Sequence, residues 1–142
     1  MLSHDTRAAI TDLVVEFAYR IDHDAGHGVD ELFTADGRYV LFGHPVEGRE
    51  GIRAMYDHRR SRGTRTSRHI FDNVRITPDD DRDDVVHVTS VLTLHAADGE
   101  PPLPLAPLLV ADYTDTVVRD DDGRWRFSIR DTALLFQPSE QG

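Results

Sequence analysis

The apolar residues of this chain change period once, close to residue 65, and that change restricts the folds open to it. Before it, Ile10, Leu13, Val14, Phe17, Ala18 and Ile21 recur at three- and four-residue spacing, with Asp12, Glu16 and Arg20 on the other side. Such spacing predicts an amphipathic helix. After it, segments 68–76, 85–97, 108–119 and 124–136 are rich in Val, Ile, Thr, Leu and aromatic residues. They predict four antiparallel strands, separated by the turn-forming linkers TPDDDRDD, ADGEPPLPLAP and DDDG. Asp120-Asp121-Asp122-Gly123 reads as a hairpin turn, so the last two strands should pair. Helices first and a meander afterwards describe an α+β fold with the helices on one face of a curved sheet.

Between these halves, Gly26 and Gly28 break the first helix, and VDELF (29–33) reads as a short second helix ending at Ala35-Asp36-Gly37. RYVLF (38–42) reads as a strand, GHPVEG as a turn, and Ile52, Met55 and Tyr56 return to helical spacing within 49–60. Three helices are thus expected in the first sixty residues. With 142 residues and no visible repeat or linker, one domain spanning 1–142 is expected.

Composition excludes several classes of function. No apolar run approaches the roughly 20 residues needed to span a bilayer, and MLSHDTRAAI lacks the basic start and apolar core of an export signal. A cytoplasmic protein without a membrane partner is expected. There is no cysteine, so disulfide and thiolate chemistry are absent. A net charge of −10 with scattered arginines argues against nucleic acid as a partner. Every basic residue is arginine, so no lysine can form a Schiff base.

TRTSRHIFDNVRI (64–76) holds the most specific residue of the chain. Strand alternation places His69, Phe71 and Asn73 on one face and Ile70, Val74 and Ile76 on the other, and both faces are partly apolar. Alone, His69 reads as a half-buried histidine bonded to backbone. With a carboxylate in hydrogen-bond reach and water excluded, its imidazole becomes a useful acid or base near neutral pH. Asp22 is the best-placed carboxylate: with Val15 and Tyr19 it forms a second stripe at the edge of the apolar face of the first helix. In the segment 85–97, Val86, Val88, Leu92 and Leu94 share a core face, whereas His87, Thr89, Val91, Thr93 and His95 share a face able to wall a cavity.

Rival features read as structure. His23 and His27 have the four-residue spacing of a helical zinc site, but the glycines end the helix there and no third ligand is evident, so no metal is expected. The acidic run 79–84 lacks the pattern of a calcium loop. PPLPLAP reads as a stiff loop joining two strands, perched to cover a cavity. Trp125, Phe127 and Ile129 share a core face, with Arg126, Ser128 and Arg130 opposite.

Four segments, AYRIDHD, ELFTADG, SRHIFDN and GRWRFSIR, stand in an order and at spacings that resemble the SnoaL-like branch of the nuclear transport factor 2-like superfamily, over about residues 6 to 136. The resemblance implies a cone-shaped half-barrel: a strongly bent, mainly antiparallel sheet wrapped around helices and enclosing an apolar pocket. Relatives include ketosteroid isomerase, scytalone dehydratase, bile-acid dehydratase, polyketide cyclases and limonene-epoxide hydrolase, most of them without a cofactor. By position, Asp22 resembles the helix-one acid of the dehydratase and cyclase members, and His69 their histidine after the helices. Tyr19 is similar to a helix-one tyrosine that holds substrate, and Arg130 to the arginine after the terminal tryptophan. Asp24 competes with Asp22 for the inward position, and Asp22 is favoured. His95 is the nearest candidate for a further polar group.

The expected function is therefore a cofactor-independent lyase or isomerase, of dehydratase or cyclase type, acting on a small apolar hydroxy-carbonyl metabolite. Asp22, His69 and Tyr19 are its candidate catalytic residues; Phe71, His95, Arg130, Tyr113 and Met55 are candidates for substrate binding. The alternative is a module of the same fold that binds a small molecule or docks a subunit without catalysis. Epoxide hydrolysis would need a second pocket carboxylate, for which no candidate stands out. A homodimer is expected, because pairing covers the outer face of such a sheet.

Overall fold

The computed structural model describes residues 2–139. Helix α1 (His4–Asp24) begins where Ser3 caps it by accepting from the Thr6 amide at 3.1 Å. It ends where Ala25 turns left-handed and the Gly26 amide donates to Arg20 O at 2.8 Å, a glycine-assisted helix end. Its buried residues are Ile10, Leu13, Val14, Phe17 and Ile21, the stripe that the spacing predicts.

A 3-10 turn (Val29–Leu32) follows in place of the second α-helix expected at 29–33. Four residues are too few to close more than one helical turn, and β1 (Phe33–Leu41) takes over at once. Ala35-Asp36-Gly37 lies inside β1 rather than in a turn. There, the register against the last strand shifts between Phe33 and Arg38, and a Cβ on Gly37 would lie 2.9 Å from Phe33 Cβ. β2 (His44–Glu47) occupies most of the segment read as a turn, and α2 (Gly48–Ser61) follows it. The long strands are β3 (Arg65–Pro78), β4 (Val85–Asp98), β5 (Leu109–Arg119) and β6 (Trp125–Phe136). There are thus two α-helices among the described residues, not three.

The strands form one sheet in the order β2-β1-β6-β5-β4-β3. All neighbours are antiparallel except β1 and β6, which run parallel; the expected β5–β6 hairpin is present. The sheet does not close, and as a half-barrel it holds α1 on its inner face. Two bulges decide what faces inward, because one extra residue moves every later side chain to the other face. In β3 the register slips between Asp72 and Arg75, with Asn73 at φ 53°. Phe71 before the slip and Val74 and Ile76 after it all pack against the core, so the two half-apolar faces of the sequence become one. In β6 the slip at Ser128 leaves Phe127 opposite Val117 and Ile129 opposite Thr116. Phe127 and Arg130 are both fully buried as a result. Simple alternation had separated them.

The inner face of β4 carries the buried Val86, Val88, Leu92 and Leu94; the opposite face, with His87, Thr89 and His95, looks outward. No helix among the described residues is long and apolar enough to cross a membrane.

Candidate active site

The last turn of α1 delivers a carboxylate to the start of β3. Asp22 accepts from the Ser67 hydroxyl at 2.8 Å and from the His69 amide at 2.7 Å, and its Oδ1 lies 2.6 Å from His69 Nδ1. Each side chain of the pair is 6% exposed. Burial pushes the Asp22 carboxyl up, but the His69 ring and amide and the Ser67 hydroxyl outweigh it and hold it below its ordinary value. With Nδ1 engaged, Nε2 is the ring nitrogen left for the cavity that His69 lines. Asp24, two residues on, is exposed.

That cavity has a volume of about 490 Å³, within the usual range for small-molecule sites. Its apolar wall includes Leu41, Met55, Leu92 and Leu94, and Tyr39, Tyr56 and Tyr113 also line it. Tyr39 and Tyr113 hydroxyls are 2.6 Å apart. Two hydroxyls sharing one hydrogen bond retain one further proton to donate. Burial pushes all three phenols above their ordinary value, so each stays protonated at neutral pH. Tyr56 reaches the wall because Gly26, at φ +84°, has no Cβ; one there would lie 2.4 Å from Tyr56 Cδ1. Arg59, Arg62, Arg65 and Asp98 stand at the mouth.

The structure brings His69, Met55 and Tyr113 to this cavity, with Asp22 bonded to His69 but not itself on the cavity wall, and places four other expected residues elsewhere. Tyr19 is 55% exposed and stacks on His23 with ring centroids 4.6 Å apart. β3 covers the stripe of Val15, Tyr19 and Asp22 only at its C-terminal end, so Asp22 is inside while Tyr19 and Val15 are outside. His95 pairs with Arg68 on the outer face of the sheet, where both line a groove of about 620 Å³ with the loop 103–108. The proline-rich loop therefore covers that outer groove and not the cavity. Phe71 packs edge-on against Tyr113 and Phe17, at 5.0 and 6.0 Å, behind the cavity wall.

Arg130 is the fourth. Fully buried, it donates from Nε and Nη2 to the two Asp115 oxygens at 2.8 and 3.0 Å. The rings of Phe17, Phe71, Tyr113 and Phe127 surround its guanidinium at 4.3 to 4.9 Å. It holds the core together and does not line the cavity. Burial pushes the Asp115 carboxyl up against the pull of Arg130, while the guanidinium keeps its proton.

Sequence reasoning passed over Ser67, Tyr39, Tyr56 and the three arginines of the mouth. Ser67 was within reach, being two residues before His69 on the same strand face. Tyr39 was not, since its inward direction depends on the parallel pairing of β1 with β6. Among the described residues no group of three or more His, Cys, Asp or Glu side chains is placed to hold a metal ion.

The SnoaL-like domain family pattern matches residues 3–131. No protein with a curated description matches the chain. Among solved structures, a putative scytalone dehydratase from Novosphingobium aromaticivorans is 21% identical, with a TM-score of 0.79 over 96% of this chain and 89% of that one. ActVI-ORFA from Streptomyces coelicolor is 21% identical, TM-score 0.79, over 94% and 99% of the two chains. A Catenulispora acidiphila protein in complex with S-DNPA is 20% identical, TM-score 0.77, over 93% and 95%. At these identities the likeness is one of fold.

Proposed function

The chain belongs to the SnoaL-like domain family, and from that premise we propose a cofactor-independent acid–base enzyme, a lyase or isomerase of dehydratase or cyclase type. Its substrate is a small, largely apolar hydroxy-carbonyl compound. The observation that carries this reading is the 2.6 Å contact between Asp22 and His69 Nδ1 at the wall of a tyrosine-bearing cavity.

Asp22 holds the Nδ1 proton, which keeps the lone pair on Nε2, directed to the cavity. Nε2 takes a proton from the carbon α to the substrate carbonyl, and the electron pair of that C–H bond delocalises onto the carbonyl oxygen as an enolate. The spare hydroxyl proton of the Tyr39–Tyr113 pair is the donor best suited to that oxygen. The carboxylate beside the ring stabilises the imidazolium that forms. In a dehydration the enolate collapses to a carbon–carbon double bond, the β C–O bond breaks, and the imidazolium proton leaves with the hydroxyl as water. In an isomerisation or cyclisation, the same proton returns to carbon. A positioned acid or base of this kind is worth about 10²–10⁴-fold in rate.

Bicyclic hydroxy-ketones incubated with the protein in deuterated water report this chemistry directly. The expected result is loss of the α-proton NMR signal with the native protein, slowed about 10²–10⁴-fold in Asp22→Asn and His69→Ala, both retaining the native circular dichroism spectrum. Undiminished exchange in either variant would sink the mechanism. A ligand that binds the native protein with no exchange would favour the binding module instead. We also propose a homodimer formed through the outer sheet face, where Ile70 and Leu135 are exposed; elution at monomer mass would overturn it.

A further inference from the structure

Three arginines, Arg59, Arg62 and Arg65, gather at the mouth of the cavity. Several guanidinium groups elsewhere meet carboxylates: Arg20 with Glu16 and Glu31, Arg38 with Glu47, Arg53 with Asp30, Arg126 with Asp120 and Asp122. Even Arg60, next in sequence to Arg59, pairs with Asp57 and donates to Ala25 O at 2.9 Å. The guanidinium groups of Arg59 and Arg62 have no such partner among the described residues. Arg65 reaches one carboxylate oxygen of Asp98 at a long 3.3 Å, and Asp98 is 83% exposed. The Nε of Arg65 is buried without any partner.

Three cations thus line one cavity with a single, mostly solvated carboxylate among them. Burial and the neighbouring Arg65 and Arg62 both push the Arg59 guanidinium down from its ordinary value, the mark of positive charge gathered without compensation. The chain as a whole carries a formal net charge of −10, so this positive mouth is a local arrangement against the overall field. In a part-desolvated site, a guanidinium gains most from an anionic oxygen that can take its planar fork.

We propose that the cavity receives an organic acid: its apolar, carbonyl-bearing body lies toward His69 and the tyrosines, and its carboxylate is held at the mouth by Arg59 and Arg65, with Arg62 at the rim. This rests on the cavity described above as the substrate site, though not on the chemistry assigned to Asp22 and His69. The carboxylate sets orientation. Anchored at the mouth, it directs the opposite end of the molecule inward, so a neutral analogue of the same shape loses both affinity and alignment.

Calorimetric titration with 1-hydroxy-2-naphthoate, its methyl ester and 1-naphthyl phosphate tests this. The acid should bind at least about tenfold more tightly than the ester, and its advantage should shrink with added salt. Arg59→Gln and Arg65→Gln should each cost the acid roughly tenfold and leave the ester unchanged, as expected for loss of one charge-assisted contact; Arg59→Lys should restore part of the loss. Arg62→Gln alters an exposed side chain with no partner to lose, so its smaller decrease is read on a fold not in question. Equal affinity for acid and ester, no saturable binding of the acid, or an acid preference that survives all three Gln variants would overturn the proposal. Tighter binding of the phosphate than of the acid would overturn the choice of carboxylate. The acid preference should persist in Asp22→Asn, so a failure of the catalytic reading leaves this result standing.

Discussion

Two buried acidic side chains of this protein meet a basic partner at close range, and they differ in where the partner ends. Asp115 and Arg130 are both fully buried and joined by two hydrogen bonds; aromatic rings close off the guanidinium on all the sides they reach. Asp22 and His69 are nearly as buried, but the ring has one nitrogen on Asp22 and the other free for a cavity. The sealed pair contributes to packing. On the function proposed above, the open pair exchanges a proton with a substrate. Burial and a short contact are shared by both, so neither property alone marks a functional site; access of the second atom does.

The largest effect expected from this contrast is on stability. Asp115→Ala leaves a buried, uncompensated guanidinium and should cost about 3–5 kcal/mol in urea unfolding. The double change Asp115→Leu with Arg130→Met should recover most of that, since burial of the charges is what makes the single variant costly. If Asp115→Ala unfolds at the native midpoint, the sealed pair is not structural.

The open pair should instead show itself in pH dependence. The folded-state value of Asp22 lies below its ordinary 3.8, so its ionised form contributes stability that is present above that value and is lost as pH falls through the folded-state value. Native protein and Asp22→Asn should therefore differ most near neutral pH and converge in strong acid. Parallel acid-unfolding curves would refute this assignment.

Smaller effects sharpen the boundary of the site. Tyr39→Phe removes one member of the hydroxyl pair and should cost about 0.5–1.5 kcal/mol by thermal unfolding, together with a drop in exchange rate for any substrate that uses that donor. Smallest of all, Tyr19→Phe, on the exposed side of α1, should stay within about 0.5 kcal/mol in stability and leave proton exchange at the native rate. A large loss of exchange in Tyr19→Phe would return that residue to the catalytic group.

Much of this was legible in the chain. The stripe from Ile10 to Ile21, the long strands and the β5–β6 hairpin follow from local spacing, because periodicity reports which residues one solvent boundary divides. Asp22 was legible as a carboxylate on the rim of a helix and His69 as a histidine among apolar strand residues. Strand register and the cover of each face account for the errors. Strict alternation divided the two faces of β3 and separated Arg130 from Phe127, and bulges at Asn73 and Ser128 moved those faces; His95 kept its side of β4, which looks outward and not into the cavity. Tyr19 was assigned by its resemblance to a helix-one tyrosine and shares a stripe of α1 with Asp22, but β3 covers only the end of that stripe.

By itself, then, the sequence determined the α+β order of elements, the extent of the family resemblance and the types of group available for chemistry, since each of these depends on neighbours along the chain. Only the tertiary structure decided that Asp22 meets His69 across 47 residues of chain, that Arg130 is sealed in the core, and that three arginines share one mouth with a single carboxylate among them. Those outcomes depend on strand register and on which element covers which face. Register is set by the packing of whole strands against one another, so a single added residue at a bulge reverses what local alternation implies.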